Sequence, residues 1–185
     1  MAEAVLETAR LILRKPVEGD AGLQFRLLNT PAVMARLGGI TPLERILLRH
    51  TQARASFARE GFGFMMLIEK ASGGIVGHCG LKRVDNPLAR NVGDHEVGWL
   101  IREDRWRRGY AYEAMRAVLD WAFGRVSAPH VVALTSEANV PSWRLMEKLG
   151  MVRRHDLDFA DPDLPPEDNP TILHSLTGAQ WRAAR

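Results

Sequence analysis

Apolar positions recur along the chain with two periods, and the changes between them mark out short strands and amphipathic helices. Leu11-Ile12-Leu13, closed by Pro16, predicts a strand. Behind Asp20, a suitable N-cap, Leu23, Leu27 and Leu28 share a helical face. Thr41-Pro42-Leu43-Glu44 predicts a second helix start, with Thr41 as cap, Pro42 in the first turn and Glu44 completing a capping box. Its stripe is Leu43, Ile46, Leu47 and Phe57, and Gly61 and Gly63 end it. Residues 64–68 and 75–81 flank Gly73-Gly74 and read as a hairpin. Residues 85–90 read as loop and 96–101 as a strand, in which Gly98 suggests a bulge or a close backbone approach.

From Gly109 a helix follows, with Ala111, Met115, Val118, Leu119 and Ala122 at helical spacing and Gly124 and Pro129 at its end. Residues 130–134 read as a strand and 141–149 as a short helix stopped by Gly150. Met151 opens another strand, 161–169 is a Pro- and acid-rich loop, and 171–176 is a last strand. Thr177 caps a tail helix containing Trp181. The order β-α-α-β-β-β-α-β-α-β-β predicts one mixed sheet with helices packed on it, in a single domain over 1–185. The 185 residues show no repeat, low-complexity tract or linker.

Composition changes this picture in two places. The hydrophobic and charged fractions, 46% and 25%, are ordinary and exclude a disordered or fibrous chain. The single cysteine, Cys79, excludes an internal disulfide and fits a reducing compartment. The net charge is only +3, too small for a general nucleic-acid binder, yet only Lys15, Lys70, Lys82 and Lys148 among the basic residues are not arginine. The N-terminal stretch lacks the basic start and apolar run of a signal peptide, and there is no apolar run of about 18 residues. A cytoplasmic protein without membrane contact is the expectation.

The arginines gather in Leu100-Ile101-Arg102-Glu103-Asp104-Arg105-Trp106-Arg107-Arg108-Gly109-Tyr110-Ala111. Here a strand ends and a glycine opens a helix, whose first N–H groups lack partners and favour an anion. Gly109 and Ala111 leave room for a phosphate, and Arg102, Arg105, Arg107 and Arg108 add charge. The segment is neither a Walker A loop nor a dinucleotide fingerprint, for it lacks the Lys-Ser/Thr pair and the spaced glycines. A solvated strand-to-helix turn is the alternative.

A second segment runs Asn139-Val140-Pro141-Ser142-Trp143-Arg144-Leu145-Met146-Glu147-Lys148-Leu149-Gly150-Met151. Together the two segments resemble the GNAT family of acyl-CoA-dependent N-acetyltransferases, in its RimJ/RimL-like branch. There a Glu-hydrophobic-Gly strand, here Glu96-Val97-Gly98, leads into Trp-x-x-Gly-Tyr-Ala-x-Glu-Ala, here residues 106–114, and later Asn-x-x-Ser precedes Glu-Lys-Leu-Gly. The resemblance is strongest over 96–151 and extends more loosely over 11–181. It implies an α/β (α+β) GNAT acyl-CoA N-acyltransferase fold. That fold is a central mixed, mostly antiparallel sheet splayed at its fourth and fifth strands, here 96–101 and 130–134, with helices on both faces. It implies acetyl-CoA as co-substrate, with pantetheine along Leu100, Ile101 and Arg102. Pyrophosphate falls on the N–H groups of Arg107, Arg108, Gly109, Tyr110 and Ala111, and Asn139 touches the pantetheine arm. Trp106 replaces the family's Gln/Arg at the head of the glycine motif.

Acetyl transfer needs a neutral amine, a donor for the oxyanion and a proton for the leaving thiolate. By the resemblance Ser142 stands at the thiolate as general acid, since the position of the tyrosine used by many GNATs is Met146. Glu96 is the candidate base, directly or through water, with His95, Asp94 and Tyr112 in reserve. The alternatives are a capping role for Ser142 and an ordinary sheet carboxylate for Glu96. The six histidines show no metal-ligand spacing, so no metal is expected. His174 reads as structural and Cys79 as a core thiol. Trp99, Trp106, Trp121 and Trp143 read as packing. The acidic run from Asp156 to Asp168 could attract a cationic amine or be a solvated loop.

The reading is an acetyltransferase moving acetyl from acetyl-CoA to a primary amine, by direct attack in a ternary complex. The acceptor is a protein N-terminus, a ribosomal protein's above all, or a small amine. The alternative is a non-catalytic acyl-CoA-binding regulatory module, and a third reading is an RNA or ribosome-surface binder. Direct nucleic-acid binding is not expected, and the reading leaves room for a homodimer.

Overall fold

The computed structural model describes residues 3–184. Eight strands form one sheet in the order β1-β2-β3-β4-β5-β6-β8-β7. They are β1 (Ala4–Glu7), β2 (Leu11–Arg14), β3 (Phe64–Glu69), β4 (Ile75–Arg83), β5 (His95–Ile101), β6 (His130–Ser136), β7 (Val152–Arg153) and β8 (Thr171–Thr177). The helices are α1 (Asp20–Leu28), α2 (Pro31–Met34), α3 (Leu43–Glu60), α4 (Tyr110–Gly124), α5 (Val140–Lys148) and α6 (Gly178–Ala183). Every pairing is antiparallel except β5 with β6, which touch in a single parallel register, Glu96 opposite Val132. Beyond that point the two strands part, at the predicted place.

The strand alternation explains where the helices sit. On β4 and β5, Cys79, Leu81, Val97 and Ile101 turn to one face and are buried against Met115, Val118, Leu119 and Ala122 of α4. On the opposite face of β4, His78 meets Gln24 of α1, which bonds His50 of α3. Burial pushes the Cys79 thiol pKa up and leaves an inert core sulfur.

Several local expectations change. β1 and α2 have no strong signal in the sequence, because each is four residues long and owes its place to neighbours. β1 is an edge strand paired with β2, and Thr30 caps α2 by accepting from Val33 N–H. Thr41 does not cap α3. Both of its backbone groups are held by the Asn29 amide, at 2.7 and 2.9 Å, so the helix begins at Leu43 with Pro42 in the cap position and no capping box. Leu47 of the expected stripe is exposed, while Ile46, His50 and Phe57 are buried. Gly98 marks no bulge, since β4 and β5 run in unbroken register; the Phe64 ring covers it, 2.9 Å from where a Cβ would stand. Thr177 does cap the tail helix, in a full capping box with Gln180.

Asp20 is not the α1 cap either; Gly19 holds that position. The carboxylate of Asp20, 2% exposed, is gripped by Arg14 at 2.6 and 2.8 Å and accepts the Val17 N–H at 2.7 Å. Burial works to raise its pKa, but the bonds from Arg14 and Val17 outweigh it and hold the pKa below the ordinary value. A carboxyl with a depressed folded pKa contributes stability that is present above its unfolded pKa and lost as pH falls through the folded one. Asp20→Asn is therefore expected to cost about 1.5 kcal/mol at neutral pH, the scale of a hydrogen bond to a charged group. The wild-type advantage should be lost as pH falls through the lowered folded pKa, where the carboxyl protonates in both states. Urea melts of both proteins at neutral and acid pH check this.

Candidate active site

The parting of β5 from β6 leaves a cleft of about 760 Å³, walled by both strands, the start of α4, α5 and the α2 segment. Arg102 N–H donates to Val76 at 2.9 Å, so the alternate residues Leu100 and Arg102 turn their backbone groups to β4. The groups facing the opening are those of Trp99 and Ile101. The Ile101 carbonyl there accepts the Trp106 indole N–H at 2.8 Å. The expected edge of Leu100, Ile101 and Arg102 is thus corrected to Trp99 and Ile101. The Arg102 side chain is likewise turned away, to the Ile75 carbonyl and Asp104.

α4 begins at the floor of this cleft. Gly109 precedes it at φ +79°, a left-handed conformation that favours glycine, and no side chain caps the helix. The N–H groups of its first turn are therefore available to an anion. The loop is held from below by Arg10, whose guanidinium bonds the Arg108 carbonyl at 2.8 Å and Glu113 at 2.6 Å. Glu113, the acidic residue of the Gly-Tyr-Ala-x-Glu pattern, also accepts from Thr8 Oγ and Arg10 N–H. Its role is to fix the β1–β2 turn under the helix start. Tyr110 is buried, and its hydroxyl bonds Glu69, so only its backbone faces the cleft chemistry.

The cations differ in part from those expected. Arg105 and Arg107 line the cleft; Arg102 and Arg108 do not. Arg144 and Lys148 join them from α5, and Arg36 from beyond α2. Arg144 and Lys148 lie four residues apart, one helical turn, which is the signal that would have revealed them. No Asp or Glu lines the cleft among the described residues.

Asn139 and Ser142 both line the cleft at the start of α5. Asn139 occupies the cap position and donates its amide to Thr135 Oγ at 3.0 Å. Ser142 therefore does not cap, and its hydroxyl makes no hydrogen bond among the described residues. Met146 is buried beneath it. Of the reserve candidates Tyr112 lines the cleft. Asp94 and His95 stand elsewhere, Asp94 paired with His130 at 3.0 Å and His95 tilted against the Phe62 ring.

Glu96 is separated from this group. It lines no part of the cleft, and its carboxylate is 3.2 Å from Lys82 Nζ. Burial raises its pKa against the pull of Lys82. Gly98 and Leu100 follow on the same face, but the Phe64 ring lies over Gly98 and occupies the path between. The expectation of Glu96 as base is not carried by this geometry. Three carboxylates of the acidic run of 156–168 are held by arginines. Asp156 pairs with Arg154, Asp158 with Arg153 and Asp168 with Arg36. His174 is buried, 2% exposed, and its role is structural.

A second cavity, about 210 Å³, adjoins the cleft through Leu37, Trp99 and Leu100, which line both. His78 and Arg49 line it. Burial, with His50 and Arg49 nearby, drives the His78 pKa to about 3, so the ring is neutral at physiological pH. Among the described residues no group of His, Cys, Asp and Glu is arranged to hold a metal, and no helix is long and apolar enough to cross a membrane.

The cleft's open strand edge, free helix start and cations fit an elongated thioester with phosphates. The comparisons agree. The family model described as the acetyltransferase (GNAT) domain matches residues 10–152. The protein YkkB of Bacillus subtilis (strain 168) is 30% identical over 158 residues, 81% of this chain and 86% of that protein. The N-acetyltransferase p20 of Bacillus licheniformis is 26% identical over 152 residues, 78% of this chain and 80% of its own. The crystal structure of an acetyltransferase from Agrobacterium tumefaciens str. C58 superposes with a TM-score of 0.76 at 27% identity, covering 95% of each chain. The chain belongs to the GNAT family and is an acetyl-CoA-dependent N-acetyltransferase.

Proposed function

We propose that the protein transfers acetyl from acetyl-CoA to a primary amine, a protein N-terminus or a small amine, by direct attack in a ternary complex. The observation that carries this is the meeting of two cavities at Trp99 and Leu100, a long cationic one and a small one, so that both substrates can lie side by side. In this reading pantetheine runs along the Trp99 and Ile101 edge and against Asn139. Pyrophosphate rests on the backbone of residues 107–111, with Arg105, Arg107, Arg144 and Lys148 around the phosphates.

The neutral amine attacks the thioester carbonyl, a C–N bond forms and the C–S bond breaks, giving the amide and CoA. Backbone N–H of β5 stabilises the oxyanion. The proton shed by the attacking nitrogen passes through the Ser142 hydroxyl to the departing sulfur, so that CoA leaves as the thiol. Among the described residues no carboxylate lines either cavity to deprotonate an ammonium, so the amine enters in the neutral form that solution supplies. The acceptor kcat/KM should accordingly rise with pH through the amine's own pKa, roughly 7.7–8.0 for an α-amine and about 10.4 for a lysine-like one. Two acceptors of different pKa should give displaced profiles; coincident profiles would point to a base on the protein. Initial velocities with both substrates varied test the order of events. Intersecting double-reciprocal lines are expected, and parallel lines would mean an acetyl-enzyme instead.

A further inference from the structure

The small cavity carries one cationic side chain, Arg49, and no carboxylate in its lining among the described residues. Its polar lining is Gln24, Asn29, Thr41, Arg49 and His78. The Asn29 amide is occupied in both directions by Thr41, and Gln24 Oε1 stands 2.8 Å from His50 Nε2. Arg49 lines the cavity and has no hydrogen bond or ion pair among the described residues. Arg49 is exposed at the cavity's edge, and partial burial of its side chain together with Arg45 lowers its pKa. Asp85, the carboxylate that acts on it, is bonded to Lys82 at 2.6 Å. Among the described residues no Asp or Glu lines this cavity or the cleft, so the lining offers a polycation no counter-charge.

The cavity's size limits the occupant. At about 210 Å³ it admits a small molecule or one terminal residue. Leu37 in its wall is held by the next residue. Gly38 N–H donates to the buried Asp168 at 3.3 Å, and Arg36 pairs with the same carboxylate at 3.7 Å. The wall on this side is thereby pinned to the 161–170 loop.

We infer that Arg49 is a specificity residue that binds a carboxylate on the acceptor, and that the acceptor is a small amine carrying that carboxylate rather than a polyamine. The guanidinium fork matches a carboxylate with two parallel bonds, which a carboxamide or an ammonium cannot reproduce. The inference rests on the acetyl-transfer reading above and narrows its acceptor class.

The test uses matched primary amines of one carbon skeleton ending in a carboxylate or in the corresponding carboxamide, with spermidine as the cationic member. For the wild type, the carboxylates should exceed their carboxamides at least ~10-fold in kcat/KM, about 1.4 kcal/mol, with the difference in KM rather than kcat. Arg49→Gln should abolish that preference while leaving the acetyl-CoA Kd unchanged, and Arg49→Lys should restore part of it. Carboxamides or spermidine turned over as well as the carboxylates, or a preference that survives Arg49→Gln, would overturn the inference. Equilibrium binding of the same amines to the CoA-loaded protein separates this from the transfer reading. Carboxylate binding lost in Arg49→Gln, without turnover of any amine, would sustain the Arg49 site and refute transfer. Turnover with no such binding difference would do the reverse.

Discussion

Gly109→Val should raise the acetyl-CoA dissociation constant at least ~100-fold, about 2.7 kcal/mol. Two effects add. Gly109 stands at φ +79°, where a β-branched residue is strained by roughly 1–2 kcal/mol or more, so the turn must rearrange and carry the first N–H groups of α4 out of line. The Cβ would also stand 3.4 Å from the Arg10 guanidinium, so a branched side chain presses on the group that holds the loop. Arg10 holds the adjoining Arg108 carbonyl, so the loop has little freedom to yield. Titration calorimetry on the folded variant, its melting temperature recorded beside it, reads the effect. Unchanged affinity in a folded Gly109→Val protein would refute the phosphate assignment.

The second large effect is on chemistry rather than binding. Ser142→Ala should lower kcat about 100-fold, the low end of what a positioned proton donor contributes. The acetyl-CoA Kd should move less than about twofold, since the backbone and the cations carry the binding. The separation is clean because the Ser142 hydroxyl supports no other part of the structure, while Asn139 holds the cap position. A stable variant with wild-type kcat would remove Ser142 from the reaction and leave proton delivery to water.

Much of this was legible in the sequence. The turn at 106–111 and the start of α5 were readable because local rules act there: a glycine before a helix, a proline in its first turn and a C′ glycine after it. The parting of the fourth and fifth predicted strands came from family resemblance, and the single Glu96–Val132 register shows it. What the sequence could not show is set by contacts between distant residues. Arg10 reaches Glu113 across more than a hundred positions, and Asn29 moves a helix start by gripping Thr41. Glu96 looked suitable as a base on its strand position, but its separation from the cleft lining depends on a Phe64 ring and a Lys82 that only the sheet brings beside it. Arg49 and His78 meet at the small cavity because α3 packs near β4, which no spacing in the chain announces.

The central claim is that the two cavities bring a thioester and an amine together for transfer. Its most direct measurement is CoA thiol release from acetyl-CoA by the purified protein across a panel of primary amines, with the acetylated amine identified by mass. The account predicts amine-dependent thiol release matched mole for mole by the amide, and its loss in Gly109→Val. Tight acetyl-CoA binding with no amide formed from any amine, peptide N-termini included, would contradict it and leave a protein that binds the thioester without using it.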